Sequence, residues 1–205
     1  MEKTHTPLES FLLYTYFGIT EKSTKEEILV SAINRAYLDA ASHVLRIAGG
    51  NEKFRKEGTD CIKQAIQNYP NSNNDFAGWH RSLCDTLAEF DASVTYGIAQ
   101  KWVNMTTKYS WLLDVLPEEV KMYDLHIPID SYIIDALKDK KNRLEYGLSI
   151  NNKILSEKWS KFSDYSAYAD LQLNAKEAIR NKFQLSPIEW EGKAWIEVAK
   201  KRSKK

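Results

Sequence analysis

The chain has little of what usually gives a small protein away. It has two cysteines, Cys61 and Cys84, in 205 residues. They stand at no metal-ligand spacing, so neither a disulfide framework nor a cysteine metal site is expected; they read as free thiols of a reducing compartment. The four histidines, His5, His43, His80 and His126, are scattered without a His-x-x-x-His pair, and no zinc site is expected. Eight glycines and five prolines exclude collagen-like and low-complexity architectures. A formal net charge of +1 argues against a histone-like or tail-driven polyanion binder, while leaving room for a local basic face. The longest apolar stretch, Phe11 to Ile19, is broken by Thr15 and Gly18 and falls far below the roughly 20 residues that cross a bilayer. The opening residues lack a basic segment leading into an apolar one, so no secretion signal is expected. A cytoplasmic location follows, nucleoid-associated if the source is prokaryotic.

What is present is helical. Hydrophobic residues make up 43% and charged residues 28%, an ordinary globular balance that excludes wholesale disorder. A chain of this length buries roughly 70% of its unfolded surface. Thr6-Pro7-Leu8-Glu9 reads as a helix start, with a capping threonine, proline in the first turn and glutamate three after the cap; that helix runs to about Gly18. Ser23-Thr24-Lys25-Glu26 reads as a second capping box, opening an apolar 3–4 periodicity that ends at Gly49-Gly50. Further helices are expected over about 52–69, stopping at Pro70, and over about 76–90. Residues 91–100, containing Gly97, read as a connector, followed by an apolar helix over 101–116. Pro128 forces Ile127 to be extended, and Asp130 then caps a helix through Leu137. Two last helices fit 165–183 and 187–200. No segment alternates like a strand. The expectation is an all-α fold of eight to nine helices, one domain over 1–198, with a frayed basic tail over 199–205.

One constellation carries chemistry. Gly97 stands four residues before Lys101, and Pro128-Ile129-Asp130 begins a helix 29 residues after that lysine. A lysine in the first turn of a helix meets the positive end of the helix dipole, and its neighbours Trp102, Val103 and Met105 desolvate it; both disfavour the ammonium and favour the nucleophilic amine. An aspartate at a helix start accepts backbone N–H bonds and remains a fixed negative charge. A neutral amine facing a fixed carboxylate suits attack on a sugar carbon that develops positive charge.

Gly-x-x-x-Lys followed by Pro-(Val/Ile)-Asp resembles the helix-hairpin-helix DNA glycosylases with a catalytic lysine, nearest to the bifunctional 8-oxoguanine glycosylases and their compact archaeal type. The match is carried by Gly97, Lys101, Pro128 and Asp130, over roughly a fifth of the chain from Gly97 to about Leu137; the segment Ser186 to Trp190 is also similar to small bacterial relatives. The resemblance implies two lobes around a cleft, with the hairpin region over about 84–137. It implies that Lys101 attacks C1′ of a flipped nucleotide, that Asp130 stabilises the developing charge and helps move the lysine proton, and that a Schiff base leads to strand nicking. Gly97 and Ala99 would then belong to the DNA-binding hairpin, although the family's second glycine is Ala99 here. Met105, Tyr132, Trp190 and Trp195 are the base-pocket candidates, with Trp79 a further stacking candidate. No cofactor or metal is implied; the partner is DNA carrying an oxidised purine, and the protein is a monomer.

Each residue also has a plainer reading. Most lysines at helix starts are solvated charges, most N-cap aspartates only cap, and Trp102 and Trp111 fit a core. His126 reads as a structural residue and Lys138 to Arg143 as a solvated loop. A catalytically idle member of the same fold, binding a nucleotide, a modified base or a protein in a defence system, stays open beside the glycosylase. So does an unrelated helical nuclease or scaffold, although Arg35 and His43 are too far apart for the Arg–His pair of helical toxin ribonucleases.

Overall fold

A computed structural model describes residues 5–41, 45–47, 50–71, 75–139, 156, 158–163 and 165–204. Among them lie eight α-helices and no strand: α1 (Pro7–Phe17), α2 (Lys25–Ala40), α3 (Glu52–Gln67), α4 (Phe76–Glu89), α5 (Tyr96–Leu112), α6 (Ser131–Lys138), α7 (Tyr165–Phe183) and α8 (Pro187–Arg202). Single 3-10 turns stand at Tyr69–Asn71, Met122–Asp124 and Trp159–Lys161. The fold is all-α, and no helix among the described residues is long and apolar enough to cross a membrane.

Local chemistry sets the helix starts. Thr6, Thr24 and Ser186 each accept the amide of a glutamate three residues on, whose carboxylate returns to the cap's own N–H. Each reciprocal pair satisfies donors that a helix start leaves orphaned, worth about 1 kcal/mol. The second box is Thr24–Glu27, one residue later than the sequence suggests. α2 ends at Ala40, well short of Gly49, and Asn51 binds the described backbone beyond it. Its side chain accepts from Ile47 N–H at 3.1 Å and donates to Leu45 O at 3.0 Å. His43, Gly49 and the residues 140–143 of the charged run lie outside the described residues. At the other end α8 continues through Arg202, so part of the expected tail is ordered helix. Arg202 reaches Asp135 at 2.6 Å and Lys201 reaches Asp139 at 3.4 Å.

α5 is the axis of the core. It packs against α2, α4 and the Trp159–Lys161 turn, while α8 lies on α6 and α7. Trp102 is fully buried at its centre, with its indole N–H on Ile33 O at 3.0 Å. The ring presses so closely on α3 that a Cβ at Gly58 would lie 2.5 Å from it. Gly58 is thus a helix-interior glycine required by packing, which offsets its poor helix propensity. A smaller apolar cluster gathers Tyr69, Phe76, Val120, Leu125 and Ile188, with Trp79 and Leu116 touching both clusters.

Candidate active site

α5 begins at Tyr96, capped by Thr95, whose hydroxyl accepts from Ile98 N–H. The segment 96–100 is therefore helix rather than connector, and Lys101 lies in the second turn. The helix-end argument for a neutral amine does not apply to it. Its side chain is buried nonetheless, 10% exposed.

The ammonium is not alone in its pocket. Lys101 Nζ stands 3.3 Å from Asp130 Oδ2, and the carboxylate is itself 11% exposed. The Trp159 ring lies beneath the ammonium, 4.6 Å from Nζ to ring centroid, a cation–π contact that strengthens as water leaves. Asp130 caps α6: Oδ1 accepts the N–H groups of Tyr132 and Ile133, each at 2.9 Å. Oδ2 also accepts the indole N–H of Trp195 at 3.4 Å. One oxygen is committed to the backbone and the other faces the lysine, so the carboxylate cannot rotate away without losing a cap.

Three buried side-chain amides hold the approach to Asp130. The extended stretch 126–129 has no sheet partner among the described residues, yet the N–H and C=O of both Ile127 and Ile129 are satisfied, as buried backbone requires. Gln100 donates to Ile129 O at 3.0 Å and accepts from Ile129 N–H at 3.2 Å. Gln172 closes the same two-bond ring on Ile127, accepting at 2.9 Å and donating at 2.8 Å. Asn104 donates toward Ile127 O, Gln100 Oε1 and Tyr168 OH, and its oxygen faces His80 Nε2 at 2.8 Å. Tyr168 OH meets His126 Nδ1 at 2.9 Å. Burial lowers the affinity of both imidazoles for a proton, bringing His80 down to about 4 despite its Asn104 partner and His126 well below its ordinary value. His126 thus serves this spine and makes no contact with Lys101 or Asp130.

The other expected residues divide. Trp195 is 38% exposed and stacks on Tyr132, with centroids 4.6 Å apart and planes at 24°; Arg202 covers the same Tyr132 ring at 4.0 Å. Met105 is partly buried, one turn beyond Lys101. Trp190 is 5% exposed and packed in the core, with no surface for a base. Trp79 is tied by its indole N–H to Ala65 O and packs on Tyr69 and Phe76. Gly97 and Ala99 are buried in the first turn of α5. Gly97 N–H donates to Phe162 O at 2.8 Å, and Ala99 is 1% exposed. The glycine at 97 is required by the chain that crosses it, since a Cβ there would fall 1.8 Å from Trp159 O.

Sequence reasoning missed Gln100, Asn104 and Gln172. The signal was available in two polar amides one turn apart, on either side of Lys101. It also missed Trp159, and the pair Lys108–Glu191 on α5 and α8. Beside the site a recess of about 420 Å3 shares Ser131 and Trp159 with the surroundings of the pair and adds Asp135, Lys138 and Lys158, a volume in the range of ligand sites. Among the described residues no three His, Cys, Asp or Glu side chains group as a metal site. Comparison of the chain with family models, curated proteins and solved structures returns no match to any of them.

Proposed function

We propose that the protein is a lysine-dependent DNA N-glycosylase with lyase activity, acting on an oxidised purine such as 8-oxoguanine. The observation that carries this reading is the pairing of Lys101 with Asp130 at 3.3 Å, both about one-tenth exposed. Lysine and aspartate distant in sequence meet in a dry pocket, beside an indole, a stacked aromatic pair and a recess. A buried, specifically partnered pair of titratable groups beside a recess is a candidate functional site.

In the proposed chemistry Asp130 takes the proton of Lys101, and the freed Nζ lone pair attacks C1′ of the lesion sugar. The C1′–N bond breaks, its electrons leave with the base, and the base takes up a proton, for which protonated Asp130 is the nearest source. The ionised carboxylate then faces the cationic sugar–amine adduct. Sugar-ring opening gives a Schiff base; loss of a C2′ proton expels the 3′ phosphate, and water releases the lysine. Fixed charge and proton transfer together are worth several kcal/mol of barrier in such sites. In this reading α4 and α5, joined by residues 90–95, correspond to the hairpin helices, and the exposed face of Trp195 is the stacking surface.

A second reading is favoured by Gly97 and Ala99. A hairpin that grips duplex phosphate uses free backbone amides, and the Gly97 amide is bonded to Phe162 O. That favours a substrate without duplex backbone contacts at this point, either a single strand or a free modified nucleoside. Borohydride trapping decides between them. A covalent adduct with a lesion duplex, lost in Lys101→Gln, supports the first reading; an adduct with single strands only supports the second. No adduct with any lesion oligonucleotide, and no base release from free modified nucleosides, removes both.

A further inference from the structure

Two turns beyond Lys101, α5 carries a second lysine, Lys108, whose ammonium bonds Glu191 Oε2 on α8. Glu191 is 2% exposed, and no step proposed above uses it. One turn further along α8 stands Trp195, so a single face of α8 sends a carboxylate to Lys108 and an indole N–H to Asp130. Burial pushes the Glu191 carboxyl up; Lys108 and Lys101 pull it down and Asp130 pushes it further up. Two ion pairs, each partly or fully buried, thus stand two turns apart on α5 and within electrostatic reach of each other.

We propose that Glu191 is a positioning residue for the Lys101–Asp130 pair: bound to Lys108, it ties α8 to α5 at the level where Trp195 meets Asp130, and it balances the second ammonium beside Lys101. The proposal rests on the reading of Lys101 as the nucleophile. The neighbouring charges are otherwise engaged or carried on the surface. From α2, Arg35 and Asp39 bond each other, and Asp39 accepts from Tyr109. From α4, His80 faces Asn104. The 159–161 turn offers Lys101 only the uncharged Trp159 ring, Lys158 and Lys161 flanking it at the exterior. Asp124, on the turn packed against α8, is bound by Lys176 at 2.8 Å. Glu191 is therefore the carboxylate that offsets Lys108.

The test follows the reactivity of Lys101 with pH in the full chain, without DNA. Formaldehyde and cyanoborohydride methylate neutral amines, and peptide mass spectrometry reads each lysine. Glu191→Gln leaves the Lys108 cation unbalanced, so the pH of half-modification at Lys101 should fall by about one unit, a roughly tenfold faster reaction below the midpoint. Lys108→Met leaves the Glu191 anion unbalanced and should raise that midpoint. The double variant should return it to within about 0.3 units of wild type, since both charges are gone. Exposed Lys53 should not move. A purely structural tie moves both single variants in the same direction, or leaves the shift in the double variant; either result overturns the proposal, as does an unmoved midpoint. If Glu191→Gln does not fold, the direction of the Lys108→Met shift decides alone. Lesion-duplex trapping by wild-type protein is run beside this. Failure to trap, with opposite midpoint shifts, removes the duplex glycosylase reading and keeps the positioning role; trapping with unmoved midpoints removes the positioning role alone.

Discussion

Gly97 and Trp159 meet backbone to backbone: the place where a Gly97 Cβ would stand is 1.8 Å from the Trp159 carbonyl oxygen. The contact brings the Trp159 ring beneath Lys101, so one glycine governs both the packing of α5 and the floor under its lysine. Because the obstructing atom is backbone, the clash cannot be relieved by a rotamer change. Gly97→Ala should cost about 3 kcal/mol, at the upper end for overpacking, and lower the Tm by roughly 6–12 °C in a chain of this size. A melt within 2 °C of wild type would show that the 159–162 segment moves aside freely.

Lys101 and Asp130 should behave as a coupled pair in stability as well as in chemistry. Removing one member of a desolvated ion pair strands the other and costs about 3–5 kcal/mol. Asp130→Asn keeps a capping oxygen, since asparagine caps about as well as aspartate, yet leaves the ammonium unpaired. Lys101→Gln and Asp130→Asn should each melt several degrees low, and the double variant should melt above either single. Additive losses in this cycle would mean the pair contributes no coupling. Trapping should vanish with Lys101→Gln and fall on the order of a hundredfold with Asp130→Asn.

Asn104 tests the amide spine. Asn104→Leu keeps the branched shape and removes at once a partner of His80 and of Gln100 and one of the two side-chain donors to Ile127 O. Unsatisfied buried groups cost about 1–3 kcal/mol each, so a loss of about 3 kcal/mol is expected. The extended 126–129 stretch should loosen, and amide exchange at Ile127 and Ile129 should accelerate more than at Trp102. Equal acceleration at all three would indicate global destabilisation alone.

Acid should weaken the fold through the two buried imidazoles. Both are depressed below the ordinary histidine value near 6.5, so they stay neutral in the folded state while the unfolded chain takes up protons. Their contribution is fully present above pH 6.5 and is lost as pH falls toward about 4, where His80 titrates in the fold. Each depressed histidine adds a slope of about 1.4 kcal/mol per pH unit in that window. Denaturant titrations at pH 7.5, 6 and 5 measure this. His80→Gln, which keeps an N–H for Asn104, should reduce the slope by the share of one histidine; an undiminished slope would assign the acid sensitivity elsewhere.

Much of this was legible in the residues. Capping boxes at Thr6 and Ser186 fixed two helix starts because their chemistry is local. The order Lys101, Pro128, Asp130 pointed to two side chains that do meet. Gly97 misled: in sequence a glycine before an apolar run reads as a turn, whereas here it is helix, emptied of its side chain for the segment at Trp159, 62 residues away in sequence. Trp190 and Trp195 illustrate the same limit. They are alike in sequence, and only the packing of α8 on α6 and α7 sends one into the core and leaves the other beside Asp130. The amide spine was illegible because its meaning lies in the carbonyls it reaches, which no periodicity encodes.

The two routes to Asp130 differ in length. Lys101 and Asp130 close a loop of 29 residues, while Trp195 must return over 65 residues to reach the same carboxylate. By chain statistics the longer closure costs about 0.7 kcal/mol more entropy. The carboxylate therefore joins a contact closed within the middle of the chain to one returned by α8, and a cut ahead of α8 would take away the indole donor while leaving the lysine and the cap of α6 on the same stretch of chain.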